Sequence, residues 1–271
     1  MRHERIDGVV VRVRDYGDHD RYLSGLTAEA GRITVLSKGG KSLRGSQMGL
    51  CQLYTYGNYE IYQRGSLYIL KDGEPIRSFH ELSEDLDRMN LAAYLCALVL
   101  ELTDEGEEAP EMLRMLLNSL HAISRELYPQ PIIKGAFEMR AAAISGYAPD
   151  LDACAFCGEK DGKELYLDVM NGALLCSDCL HKKGKRVSLP NAYDDIREAE
   201  VLCPLTPASA AAMRYVLSTP QSRLFAFDLC DPDDLRVFAV SAETYLLSHV
   251  GHGFDTLDFY HTMREPIKGT K

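Results

Sequence analysis

Residues 154–179 read CAFCGEKDGKELYLDVMNGALLCSDC, and they carry thiols at Cys154, Cys157, Cys176 and Cys179. Two CxxC pairs separated by eighteen residues have the arrangement of a zinc ribbon, in which each pair forms a thiolate-presenting knuckle and the spacer a hairpin. Gly158 follows the first pair where a knuckle needs a permissive backbone, and the spacer reads as strand (164–169), turn (Met170-Asn171-Gly172) and strand (173–175). A redox CxxC is the alternative, but that motif opens a helix in a βαβ pattern, which the flanking sequence lacks. Four thiolates leave no open position for water, so the expected role of the ion is structural. His181 is a competing ligand candidate, and Cys51, Cys96, Cys203 and Cys230 are scattered thiols.

Outward from this module the chain changes character. The first eighty residues read as short strands over 8–13, 21–26, 32–36, 52–56, 60–62 and 67–70. Their turn signals include Tyr16-Gly17-Asp18, Lys38-Gly39-Gly40, Tyr56-Gly57-Asn58 and Asp72-Gly73. About five strands in this length suit a closed barrel of OB type, with a short sandwich as the alternative. After Pro75 the period becomes helical. Ser83 is placed to cap a nearly all-apolar helix bearing Leu86, Met89, Ala93 and Leu100, and Pro110 starts a second helix. Ile133, Phe137, Ala141 and Ile144 mark a third, ended by Gly146. Beyond the cysteines, Thr206-Pro207 and Asp233 open further helices, and residues 263–271 read as a frayed end. The fold class expected is α+β: a barrel over 1–79, a helical domain over 80–151 and 183–271, and a zinc-ribbon module over 152–182 inserted in it.

Composition bounds the function. The 271 residues are 46% hydrophobic and 26% charged, enough for a substantial core, and no apolar run approaches a membrane span of about 18 residues. Paired cysteines used as metal ligands point to a reducing, cytoplasmic compartment. A net charge of −10 argues against nonspecific nucleic-acid binding by the whole surface, which makes local charge decisive. From Gly31 to Gly49 there are Arg32, Lys38, Lys41 and Arg44 and no acidic residue. Glycines beside these lysines let backbone N–H groups approach phosphate, and Tyr54, Tyr56, Tyr59 and Tyr62 are candidate stacking faces for bases. A solvated loop and packed strand tyrosines are the plain alternative. Lys41-Ser42 imitates the end of a phosphate-binding loop, but Val35 stands where its first glycine belongs, so no nucleotide cradle is expected. The basic run 181–186 reads as a solvated loop or an extension of a nucleic-acid path.

Several segments in order resemble the RecO family of bacterial recombination mediators. They are Gly8-Val-Val-Val with Arg14-Asp-Tyr-Gly-Asp-His-Asp20, Gly31-Arg-Ile-Thr-Val-Leu-Ser-Lys-Gly39, Phe137-Glu-Met-Arg140, and Gly146-Tyr-Ala-Pro-Asp-Leu151 leading into Cys154. The resemblance implies an OB domain, a helical domain with a zinc module, and no covalent chemistry. It also implies binding of single- and double-stranded DNA, strand annealing, and help in loading RecA onto strands coated by single-stranded-DNA-binding protein, with RecR as partner and the nucleoid as location. Carried over by position, the DNA contacts fall on Arg14, Arg32, Lys38, Lys41 and Arg44. The coat protein's acidic tail falls on Lys134, Phe137 and Arg140, although Gly135-Ala136 stands where relatives often carry a basic residue. RecO-like chains do not all keep the four cysteines, which implies that the Zn2+ braces the insert. The reading from another class is a zinc-containing interaction scaffold whose barrel never touches DNA.

Overall fold

The computed structural model describes residues 3–42, 47–65, 67–160, 164–182 and 201–264. The chain forms two compact units, residues 1–127 with 254–271, and residues 128–253. The expected helical stretch 80–151 is thus divided between them. Its first two helices cover the barrel, and its third packs with the helices that follow the cysteines.

In the first unit, β1 (His3–Tyr16), β2 (Asp20–Thr27), β3 (Gly31–Ser37), β4 (Thr55–Arg64) and β5 (Leu67–Ser78) close in the order β1-β2-β3-β5-β4. This is the five-stranded, partly open barrel of the OB type. Its weakest seam is the parallel β3–β5 pairing, which has two register pairs, Val35 with Tyr68 and Leu36 with Ile69. Strand β1 closes the barrel because it pairs along both edges, residues 3–9 with β4 and 8–16 with β2, bending at a bulge between Val10 and Arg12. The interior holds Ile6, Val10, Leu23, Val35, Tyr59 and Ile61, and one end is plugged by Leu50 and Cys51. That plug is a turn whose Gln47 side chain accepts from Ser37 and donates to the Lys71 carbonyl.

Two sequence expectations change here. Tyr56-Gly57-Asn58 and Asp72-Gly73 are not turns but mid-strand positions of one long β4–β5 ladder. The glycines mark close backbone approach at its two irregularities: a Cβ on Gly57 would lie 2.7 Å from the Glu74 carbonyl oxygen, and one on Gly73 2.4 Å from that of Asn58.

Helices α1 (Leu86–Leu102) and α2 (Pro110–Ser124) cover the barrel face that carries Val9 and Leu26. Asp85, not Ser83, caps α1, its carboxylate accepting from the Arg88 amide at 2.9 Å, while Ser83 ends a 3-10 turn. A last helix, numbered α7 in chain order (Asp255–Arg264), packs on α1 through an edge-on Tyr94–Phe254 contact. Met263 and Arg264 belong to it, so they are not frayed, and 265–271 lie outside the described residues.

The second unit contains α3 (Gln130–Ile144), β6 (Asp150–Cys154), β7 (Leu165–Asp168), β8 (Ala173–Cys176), α4 (Ser177–Lys182), β9 (Leu202–Leu205), α5 (Pro207–Ser218) and α6 (Pro232–Val250). Helices α3, α5 and α6 pack around Phe137 and Phe238. A Cβ on Gly135 would sit 2.6 Å from the Phe238 ring, which explains why this helix position carries no side chain. Thr206 forms a capping box with Ser209, and Asp231, rather than Asp233, caps α6. The cysteine sheet has the order β6-β8-β7-β9, two strands larger than the expected hairpin, because β6 lies beside β8 and β9, from outside 152–182, joins the edge of β7.

Gly31 (φ +58°) fastens the β2–β3 turn to the loop after α1. A Cβ there would meet the carbonyl oxygens of Asp104 at 2.4 Å and Glu107 at 2.5 Å. Gly31→Ala is therefore expected to cost at least about 2 kcal/mol, read as a lowered urea midpoint, through the left-handed backbone and the overlap together.

Candidate metal centre and nucleic-acid surface

The four thiols converge because three local devices place them. Cys154 ends β6, and the chain turns back through Gly158 (φ +76°), whose amide donates to the Cys154 carbonyl while the Cys154 amide donates to Glu159. The β7–β8 hairpin, in which Leu165 pairs with Cys176, brings the second pair alongside, and its turn is held by Asp168 accepting from the backbone and side chain of Asn171. Helix α4 then starts at Ser177 and swings Cys179 inward. All four sulfurs lie within 4.8 Å of one another, and Cys157 and Cys176 are 3.6 Å apart. A tetrahedral ion with metal–sulfur bonds of about 2.3 Å sets its sulfurs about 3.8 Å apart, so this cluster fits such an ion, and the soft donor set is compatible with zinc. His181 is exposed and outside the cluster.

The thiols do not ionise alike. Burial opposes ionisation of Cys154, but backbone N–H groups of Phe156, Cys157 and Cys176 aimed at its sulfur draw its pKa down to about 6. Cys179 is pushed up to about 12, first by its hydrogen bond to Cys157 and then by burial, and burial also raises Cys176. One thiolate is thus prepared beside Cys176 and Cys179, which hold their protons until a dication replaces them.

Of the residues expected to meet an acidic tail, Lys134 and Phe137 occupy the interior of this unit and Arg140 is half-buried. Lys134 is 2% exposed and Phe137 0%. Lys134 on α3 lies 2.7 Å from Glu138 one turn on and 2.5 Å from Glu243 on α6. Burial works against its charge, yet the two carboxylates prevail and hold its pKa above the ordinary lysine value. The guanidinium of Arg140 donates to the carbonyl oxygens of Val216 and Thr219 and so ties α3 to the C-terminal end of α5. Lys134 and Phe137 therefore offer a partner almost no exposed surface, and their polar and apolar chemistry joins α3 to its neighbours. Sequence position alone could not show this, because a lysine four residues before a glutamate reads equally well as an exposed helical pair.

In the first unit the expected cations separate. Arg32 sits at the start of β3, its guanidinium 2.6 Å from the Leu100 carbonyl at the end of α1. Arg14, Lys38 and Lys41 gather at the other end. The turn after β3 is stitched to the β1–β2 loop by Gly39 N–H to Asp20, Lys41 N–H to the His19 carbonyl, and Lys41 Nζ to the Gly17 carbonyl. Lys41 Nζ also lies 3.3 Å from Asp15, which Arg21 contacts at 3.0 Å, and these two cations hold the Asp15 carboxyl below its usual range. Arg14 and Lys38 are exposed and have no carboxylate within ion-pair distance among the described residues. Arg44 lies outside the described residues, as do residues 183–186 of the second basic run.

The expected stacking tyrosines are not a surface group. Tyr54 and Tyr59 are core residues, and Tyr62 packs against His3. The aromatics at the basic end are Tyr16 and Tyr22, with ring centroids 5.0 Å apart. The alternation along β1 that puts Arg12, Arg14 and Tyr16 on one side was the signal for them.

Comparison with known families agrees with this construction. The N-terminal model of recombination protein O matches residues 1–79, and its C-terminal model matches residues 83–193. DNA repair protein RecO of Alkaliphilus metalliredigens is 30% identical over 175 residues, covering 65% of this chain and 71% of that protein. The chain belongs to the RecO family. RecO of Acetivibrio thermocellus is 24% identical over 264 residues, 97% of this chain and 98% of its own length. RecO of Bacillus pumilus is 29% identical over 223 residues, 82% and 80% of the two chains. Among the described residues no helix is long and apolar enough to cross a membrane.

Two outcomes follow for this RecO-family chain. Cobalt(II) is expected to bind one ion per chain with the absorption of a tetrahedral thiolate site, and to bind more weakly as pH falls, because each thiol must lose its proton to the ion. Lys134→Ala is expected to cost about 3–5 kcal/mol in urea unfolding, because it leaves the buried Glu138 and its neighbour Glu243 without their cation.

Proposed function

We propose that this RecO-family protein is a non-enzymatic recombination mediator. In this reading it neutralises phosphates of single- and double-stranded DNA at the loop end of the barrel, aligns complementary strands, and helps load RecA onto strands covered by single-stranded-DNA-binding protein together with RecR. The observation that carries the DNA contact is the gathering of Arg14, Lys38 and Lys41 at one end of an OB-type barrel, where the neighbouring Asp15 and Asp20 are already engaged by Lys41, Arg21 and the Gly39 amide. In OB barrels the β1–β2 loop and the strands beside it are a recurrent oligonucleotide surface. Lys38 and Arg14 reach phosphate without giving up a partner. Lys41 must exchange Asp15 for it and contributes less.

The metal in this reading is Zn2+, held by Cys154, Cys157, Cys176 and Cys179 as a brace. With every coordination position taken by sulfur it supplies folding free energy to the hairpin and no reactive water. RecR, the coat protein and, through them, RecA are partners that rest on family membership, and the burial of Lys134 and Phe137 argues against a direct tail contact at those two side chains. The bacterial cytoplasm and its nucleoid are the corresponding location.

If about four phosphates of a single strand are neutralised, log affinity is expected to fall against log salt with a slope near −3. Arg14→Ala combined with Lys38→Ala is expected to flatten that slope by about 1.4, since each phosphate contact on a single strand accounts for about 0.7. Fluorescence anisotropy over a salt series reads the slope, and annealing of complementary strands should slow in parallel. An unchanged slope would remove this surface from the DNA contact.

A further inference from the structure

Strand β1 alternates across its outer side as Arg12, Arg14 and Tyr16, all exposed, and its partner β2 sets Tyr22 opposite Arg14 in the register. Directly opposed residues of an antiparallel pair share a face, so two arginines and two tyrosines stand on one side of the two-stranded ribbon, together with Asp20 opposite Tyr16, whose carboxylate accepts from the Gly39 amide. Tyr16 is 54% exposed, and among the described barrel residues it is the one aromatic side chain left so open, since the others are half-buried or buried. Tyr22 lies beneath it, with ring centroids 5.0 Å apart and planes inclined at 58°. That contact holds the Tyr16 ring against its neighbour and leaves much of it to solvent. Neither Arg12 nor Arg14 has an ion-pair partner among the described residues, whereas Asp15, on the alternate side of β1, is engaged by Arg21 and Lys41.

Core packing does not require an aromatic residue at position 16: the barrel interior is filled by the opposite face of the same strand, through Val10 and Val13. A large π-surface supported from behind and flanked by unneutralised cations is what an unpaired nucleobase with its phosphates would need. A duplex would present only phosphates there, because its base faces are already stacked on one another.

We infer that the Tyr16–Tyr22 pair is a base-stacking platform that makes this surface prefer single-stranded over duplex nucleic acid, with Arg12 and Arg14 holding the flanking phosphates. The inference rests on the DNA contact proposed above and adds the class of ligand, unpaired bases, and the residues that select it.

The test uses the full chain with a single-stranded oligonucleotide carrying 2-aminopurine, whose emission falls when it stacks, and a labelled duplex of the same length. Tyr16→Ala is expected to weaken single-strand binding about 5- to 100-fold, the range for one lost base–aromatic stack, and to abolish the 2-aminopurine quenching. Duplex affinity and the salt slope should stay as in the unaltered protein, because no charge is removed. Tyr16→Phe, which keeps the ring, should behave like the parent chain, and an unchanged thermal midpoint for both variants will separate stacking from folding. Equal loss of single-strand and duplex binding, or retained affinity and quenching in Tyr16→Ala, overturns the platform. If Arg14→Ala with Lys38→Ala flattens the salt slope while Tyr16→Ala changes nothing, the platform alone is rejected. If none of these variants alters binding, the DNA surface is rejected with it.

Discussion

The first unit depends on one strand being shared between two ladders. Residues 3–9 of β1 pair with β4 and residues 8–16 with β2, and the changeover occurs at Gly8, Val9 and the bulge at Val11. A Cβ on Gly8 would lie 2.9 Å from the Thr27 side chain and 3.0 Å from the Leu26 carbonyl oxygen, so any larger residue at this corner would have to push its neighbours aside. The extra residue of the bulge increases the local twist and turns the second half of the strand toward β2. That single bend lets one strand pair along both edges, and the short parallel β3–β5 seam completes the barrel. Beyond the bulge it also gives Arg12, Arg14 and Tyr16 one common face. Closure and the proposed nucleic-acid surface are therefore two results of the same backbone event.

The second unit solves its cohesion in two different ways. In the helical part, the buried Lys134 is matched by Glu138 from its own helix and Glu243 from α6. Attraction across a low-dielectric interior holds the helices in register, at a desolvation cost that only this geometry offsets. In the cysteine sheet the strands are four or five residues long, too short to be stable alone. There four thiols converge where a metal ion could join them, and β9 adds an edge to β7. The Tyr245 hydroxyl donates to the Tyr147 carbonyl, and a Cβ on Gly172 would lie 2.9 Å from that hydroxyl, so the hairpin turn and α6 are fitted closely to each other.

Sequence and structure agree best where the signal is covalent or strictly local. The two CxxC pairs, the Asn171-Gly172 turn, Pro110 at a helix start and the Thr206 cap each state a geometry that needs only neighbouring residues, and each is found where the pattern placed it. Glycine signals divide by context. Gly17, Gly39 and Gly172 sit in turns at positive φ, whereas Gly57 and Gly73 lie in paired strands because another backbone passes within touching distance. A turn and a close approach make the same demand on one residue, and only the partner strand distinguishes them.

By itself the sequence determined the α+β class, the four cysteines as candidate metal ligands and the RecO likeness, since these rest on spacing, periodicity and order along the chain. Only the tertiary structure decided which charges face solvent. Arg32 and Lys134 read as available cations, yet one is bound to the Leu100 carbonyl at the end of α1 and the other to two carboxylates in the core. Arg14 and Tyr16 reach the surface because β1 bends at Val11 and sets their side outward. A side chain's charge is fixed by its residue type, but its availability is fixed by what the fold places within hydrogen-bonding distance, and those partners lie up to 109 residues away.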